Sequence, residues 1–468
     1  MVRQRSAKPL FIGSIPIAAS NYKLQSSDNF SDANASPPIE AECAVKTSKR
    51  AKVGIQLKIG SMKKITCLAC ALLLLAYTEV VAQQSLKDYP QWRGRNRDGA
   101  ASEFFEPKSW PEKLTLRWKV TVGEGYATPI LVGNTVYSFT RRDGNEVLMA
   151  LNASSGKILW QTSYSAPYTV ANPAAAHGAG PKATPLFHHG RLYTLGISGI
   201  MSAFDAATGK LVWQTPAPSE HPYFGMAVSP IGDKELVIGN PGNYGPLTAF
   251  DEGTGHVKWT ADGDSAWASP IIVELGGTRQ VISMTTKSVV SVSVATGELL
   301  WQYPWVSTRT GSAITPLVYG ETIIVGSQGM AVTELRPTKR NGKWEVDTLW
   351  ENKDVSLFLS NPVIVRDTLF GLSERASGQF FALDAKTGKL LWLGPPREAT
   401  NTAVVKANEL LFLLNDDAEL IVARSSRKGF EPLKKYDVAD SATWAQPTIS
   451  GNRIFVKDVS SLTLWTVN

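Results

Sequence analysis

Five histidines, His177, His188, His189, His221 and His256, are the side chains best suited to metal or acid–base chemistry in this chain. None is spaced as His-x-x-x-His or His-Glu-x-x-His, the arrangements that bring two imidazoles onto one metal. His188-His189 precedes a glycine in an inter-strand turn and reads as solvated, and His256 stands in a lysine slot of a repeat and reads as surface. All three cysteines, Cys43, Cys67 and Cys70, lie at or before residue 70. A disulfide scaffold, a Cys-ligated zinc site and a Cys-x-x-Cys-His haem site are therefore excluded downstream. Gly242-Asn-Tyr-Gly245 lacks the Lys-Ser/Thr of a phosphate loop, and no Gly-x-Ser-x-Gly elbow occurs. No catalytic residue and no metal ligand is assigned from these patterns.

The elements that must position any site are legible. Hydrophobic residues make up 43% and charged residues 19% of the 468, enough for a packed core and incompatible with wholesale disorder. Of 48 Lys+Arg and 41 Asp+Glu, 11 and 5 fall within residues 1–82, which leaves 37 and 36 for the rest. Of the net charge of +7, +6 thus sits outside the part expected to fold, and nucleic-acid binding loses its main support. Met62-Lys63-Lys64, an apolar run from Ile65 to Tyr77, and Val80-Val81-Ala82 before Gln83 form the three parts of a secretory signal peptide. We expect 62–82 to be that signal. Residues 1–61 are then a disordered or mis-called upstream extension, 83–115 a leader strap, and 116–468 the folded body. The mature chain is expected to be exported to the periplasm or beyond the cell, with no membrane span.

An eleven-residue pattern recurs five times: Ala150–Trp160, Ala203–Trp213, Ala249–Trp259, Ser291–Trp301 and Ala382–Trp392. Each copy reads as strand, tight turn and strand. Asp or Asn opens the turn, and Gly156, Gly209, Gly255, Gly297 or Gly388 takes its left-handed position. A second pattern precedes each copy, in which a proline opens one strand and a turn returns a second, beginning at Thr128-Pro129, Thr184-Pro185, Ser229-Pro230, Ser269-Pro270, Thr315-Pro316, Asn361-Pro362 and Gln446-Pro447. The outer-strand aromatic falls at Trp118, Trp160, Trp213, Trp259, Trp301, Trp350, Trp392 and, degenerate, Tyr436. Four short strands per repeat of about 40–50 residues describe a propeller blade. The fold class is all-β, an eight-bladed β-propeller of four-stranded antiparallel blades, with Leu116–Val120 closing the ring. Divergence in the fifth and seventh units leaves seven blades as the alternative count. The recurring tryptophans read as structural docking residues between neighbouring sheets rather than as a cofactor box.

The Ala-x-Asp-x-x-Thr-Gly-Lys-x-x-Trp repeat resembles the tryptophan-docking motif of PQQ-like eight-bladed propellers over residues 116–468. Tyr89-Pro-Gln-Trp-Arg-Gly-Arg-Asn-Arg-Asp-Gly99 resembles the leader of exported bacterial members. The resemblance implies one of two functions: a pyrroloquinoline quinone (PQQ) and calcium dehydrogenase for alcohols or sugars, or a non-enzymatic envelope scaffold like the propeller subunit of the outer-membrane β-barrel assembly machine. The dehydrogenases stack the quinone on the propeller axis between a tryptophan and an adjacent-cysteine disulfide. That disulfide is missing here and the loops are short. The scaffold reading is preferred, with no cofactor expected.

In a propeller, loops from an outer strand to the next inner strand share one face with loops joining the two middle strands. On that channel-mouth face we expect Tyr126, Arg141, His177, Lys182, His221, Tyr223, Trp267, Trp305, Arg309, Arg375, Arg397 and Trp444. Tyr126, Trp267 and Trp444 share one register, aromatic-Ala-x-Pro, and should form part of a ring. Aromatics with interspersed arginine suit a protein or glycan partner. The molecule is expected to be a monomer. Trp92 with Arg93, Arg95 and Arg97 reads as a strap packed on the propeller rather than a nucleic-acid contact.

Overall fold

The computed structural model describes residues 87–307 and 312–467. The expected upstream extension and signal peptide, and Arg309, lie outside the described residues.

Strands form wherever apolar and β-branched residues run between glycine or Asx turns, and they assemble as eight antiparallel sheets of four. Blades 1 to 7 occupy 130–165, 186–214, 231–260, 271–304, 317–352, 363–393 and 402–437. Blade 8 takes three strands from 448–466 and its outer strand from Thr115–Thr121, which pairs antiparallel with Ser461–Thr466. The ring is thus closed by the N-terminal strand. The fifth and seventh units are complete blades, so the count is eight. Divergence in blade 5 is a long outer hairpin, Val332–Arg340 with Lys343–Asn352.

The core lies between blades, and the outer-strand tryptophans fill its wedge. Trp118, Trp160, Trp213, Trp259 and Trp350 donate from Nε1 to the carbonyls of Ala153, Ala206, Glu252, Val294 and Ala385 on the following blade, at 2.9–3.2 Å. Each ring lies on the turn glycine of that blade, where an added Cβ would come within 2.4–2.8 Å of the indole. Glycine is needed there twice over, for its positive φ and for the space. Where the motif decays the partner changes: Trp301 donates to Gln280 Oε1 of its own blade at 2.8 Å, and Trp392 to Ser426 O at 2.9 Å.

The residue before each inner-strand proline ties neighbouring blades around the channel. The amides of Thr128, Thr184, Ser229 and Thr315 donate to the side chains of Thr184, Ser229, Ser269 and Asn361, at 2.7–3.3 Å. Thr184 and Ser229 use both groups, each accepting at its hydroxyl from the preceding blade and donating its amide to the next. Proline then removes the next donor, and its carbonyl, at the edge of the sheet, can accept from the channel side.

Candidate functional site

The mouth face carries two aromatic clusters. In the first, His177 sits edge-on to Trp444 with centroids 4.4 Å apart and faces Tyr126 at 6.3 Å. Tyr126 is buried, and its amide donates to Pro181 O at 2.9 Å. In the second, Phe224 packs edge-on to Tyr223 and Trp267 at 4.8 and 5.5 Å, Tyr244 lies 6.4 Å from Trp267, and Tyr168 meets His221 at 4.8 Å. Lys182 reaches between the clusters, donating to Phe224 O at 2.7 Å, and burial brings its amine down to about 8. Loops from blades 7, 8, 1, 2 and 3 therefore contribute to one arc, with Trp267 at its far end. Tyr223, Arg375 and Arg397 are exposed. Trp305 is not on the surface: it is 4% exposed and packs in the core shared by blades 4 and 5. Arg141 pairs its backbone with Glu124 and holds Nη1 buried without a hydrogen-bond partner.

Two ionisable groups beneath this face escaped the sequence reading. Glu146 is fully buried; Tyr164 donates to its Oε2 and the Ile197 amide to its Oε1, both at 2.6 Å. Burial outweighs these donors and pushes its carboxyl up to about 7. Lys457, 1% exposed, donates to the carbonyls of Gly125, Asp458 and Val459 at 2.6–3.1 Å, and burial lowers its amine to about 7. The available signal was a lone charge within an apolar strand, Glu-Val-Leu-Met-Ala and Ile-Phe-Val-Lys.

The channel itself is occupied by the chain. Residues 89–102 hydrogen-bond to the inner strand, or the residues opening it, in every blade. Tyr89 pairs with Leu131 in blade 1, and Pro90 O accepts from Phe187 in blade 2. Arg97 donates to Ser229 O and Pro230 O in blade 3, and to Pro270 O at 2.6 Å in blade 4. Trp92 Nε1 reaches Thr315 Oγ1 at 2.9 Å in blade 5, and Arg93 reaches Asn361 O and Pro362 O at 3.3 and 2.6 Å in blade 6. Ala101 and Ser102 donate to Lys406 O and Ile449 O in blades 7 and 8. Arg93 and Arg97 are 1% and 4% exposed, and desolvation lowers them to about 10 and 9. Neither guanidinium is presented to a phosphate.

A cavity of about 310 Å³ remains beside this segment, lined by Asn96, Arg97, Asp98, Pro316, Ile364 and Lys406 among others. No aromatic ring lines it, and its one carboxylate, Asp98, is paired with Lys406 at 2.9 Å. A stacked planar quinone needs a ring face, and calcium takes six to eight oxygens. The residues lining this cavity do not fit that pair.

A family described as outer membrane protein assembly factor BamB matches residues 144–393. The BamB of Yersinia pestis is 24% identical over 66% of this chain and 68% of its own length. The quinohemoprotein alcohol dehydrogenase ADH IIB of Pseudomonas putida is 31% identical, over 49% of this chain and 31% of its own. The chain thus spans less than half of that dehydrogenase. Among solved structures, BamB from Moraxella catarrhalis superposes with a TM-score of 0.55 at 16% identity, over 75% of this chain and 99% of that one. The quinohemoprotein alcohol dehydrogenase of Comamonas testosteroni gives 0.60 at 15%, over 81% and 80%. At such identities the superpositions speak for the eight-bladed fold alone.

Proposed function

Starting from the membership of this chain in the BamB family of PQQ-like propellers, we propose that it is an exported, non-catalytic scaffold of the bacterial cell envelope, binding a protein partner at its mouth face. The observation that carries this reading is the filled axis. A segment bonded to the inner side of all eight blades takes up channel space with the chain's own residues, which supports recognition at the faces over chemistry on the axis. The mouth face supports the assignment with rigid aromatics, a half-buried lysine and the exposed Tyr223, Arg375 and Arg397. Aromatic and arginine residues are enriched at protein interfaces. The relatives named for outer membrane assembly match over about two thirds of their length, which favours a shared role in assembly over alcohol oxidation. No helix among the described residues is long and apolar enough to cross a membrane.

Two measurements test the proposal. Calorimetric titration of PQQ with and without Ca²⁺ should give no binding; tight, calcium-dependent, one-to-one binding would overturn it. A photocrosslinker at Tyr223 or Arg397 should capture one envelope protein that a crosslinker at Lys386, in an outer-strand turn on the opposite face, does not. Equal capture from both faces would remove the mouth assignment.

A further inference from the structure

On the face opposite the mouth, two turns from neighbouring blades converge. His188 ends the inner strand of blade 2, His189 follows in the turn, and Glu252 comes from the turn between the two outer strands of blade 3. Successive strand residues point to opposite sides. Here the positive φ of His189, 45°, turns the chain so that both imidazoles stack 3.9 Å apart and face the same carboxylate. Glu252 Oε2 lies 3.0 Å from His189 Nδ1 and 3.5 Å from His188 Nε2. One ligand atom from each of the three residues falls within 4.8 Å of the others.

The site is built by departures from the repeat. The position of Glu252 holds Ala153, Ala206, Val294 and Ala385 in the other four copies of the motif, so only this copy carries an ionisable group there. Its backbone is fixed, because Trp213 Nε1 and Tyr193 Oη both donate to Glu252 O at 3.0 Å. Gly232 clears space for the His188 ring: a Cβ there would lie 2.8 Å from His188 Cγ. The side chains of His188 and Glu252 are 18% and 14% exposed, and that of His189 is 55% exposed, which leaves an approach from solvent.

We infer that His188, His189 and Glu252 form a binding site for a divalent transition metal, zinc in the first instance. Imidazole and carboxylate donors suit zinc. A tetrahedral zinc with bonds of about 2.0–2.1 Å spaces its donors about 3.3 Å apart. The two separations from Glu252 Oε2, 3.0 and 3.5 Å, bracket that value, and the two imidazole nitrogens lie within 4.8 Å of each other. Three protein ligands leave one coordination position open to water or to a donor from a partner. Two neighbours must yield: His188 Nε2 contacts Lys234 O at 2.6 Å and releases that bond on ligation, while Arg191 stays 3.8 Å from the other Glu252 oxygen.

The test is calorimetric titration of ZnCl₂ into the full chain, into Glu252→Gln and into His189→Asn. Gln keeps the backbone carbonyl that docks Trp213, and Asn tolerates the left-handed backbone of the turn. We expect one saturable zinc event in the parent chain, weakened at least tenfold in both variants, with melting temperatures unchanged without metal. Absence of saturable binding overturns the site. So does binding that survives both substitutions, which would belong to other donors such as Cys43, Cys67 and Cys70.

Discussion

Arg93 and Arg97, one helical turn apart in number, diverge to different walls of one channel. Arg93 Nη2 donates to Pro362 O in blade 6 and Arg97 Nη1 to Pro270 O in blade 4, each at 2.6 Å, while Arg93 Nε closes back on Arg97 O at 3.3 Å. The acceptors exist because the inner strand is the edge of each sheet, so carbonyls at its start have no ladder partner on the channel side. A ring whose blades otherwise meet only their two neighbours thereby gains a crosspiece that joins non-adjacent blades. The guanidinium, with five donors in a fixed fork, can do this where a lysine ammonium would reach fewer acceptors.

Arg97→Ala should therefore cost about 3 kcal/mol or more of stability, since it strands buried carbonyls in blades 3 and 4 as well as removing charge-assisted bonds. Arg97→Lys should recover part of the loss. Urea unfolding of the three proteins measures this, and a parent-like midpoint for Arg97→Ala would mean the leader is only laid against the propeller.

The docking glycines offer a controlled comparison. Gly209 and Gly144 both have positive φ, 71° and 79°. A Cβ at Gly209 would sit 2.5 Å from Trp160 Cε3, whereas at Gly144 nothing lies within 4 Å. Both substitutions to Ala pay about 1–2 kcal/mol for the left-handed backbone. Gly209→Ala should lose a further 1–3 kcal/mol or so by overpacking. Equal melting temperatures for the two variants would show that the indole shifts freely and that the docking contact is loose.

How far the sequence carried depends on periodicity. The blades, the closing strand and the tryptophan positions were legible because they recur, and Trp118 shares a register with Trp160 and Trp213. Trp305 was misplaced from its loop because it belongs to no repeat position, and only packing decides that it turns inward. The bonds of residues 89–102 to the inner strands were not legible, because Arg93 and Arg97 bond to backbone carbonyls that leave no mark in side-chain identity. His188 and His189 read as a solvated pair because Glu252, their partner, lies 63 residues or more away across a blade boundary.

The mouth arc can be dissected by coupling. Trp444 packs on His177, and Trp267 on Phe224 and Tyr244, with no shared partner. Each Trp→Ala substitution should cost about 1–3 kcal/mol for a half-buried ring. In the double variant the losses should add to within about 0.5 kcal/mol, as for sites without common contacts. A larger coupling would mean that Lys182, bonded to Phe224 O, transmits strain between the clusters and that the arc behaves as one unit.

Glu146 sets a pH dependence whose sign follows from its burial. Its carboxyl is held up to about 7 in the folded chain, against an ordinary value near 4.5 when unfolded. Between those values the folded state keeps a proton that the unfolded state has released. Stability from this group is therefore fully present below about pH 4.5, and is lost as pH rises through 7, by about 3 kcal/mol. Glu146→Gln cannot ionise and retains an oxygen to accept from Tyr164 or the Ile197 amide. The difference in unfolding free energy between parent and variant, measured across pH 4.5–7.5, should change by that amount in favour of the variant as pH rises. A constant difference over the window would mean that the Tyr164 hydroxyl and the Ile197 amide keep the carboxylate charged at every pH tested, so that its burial carries no proton.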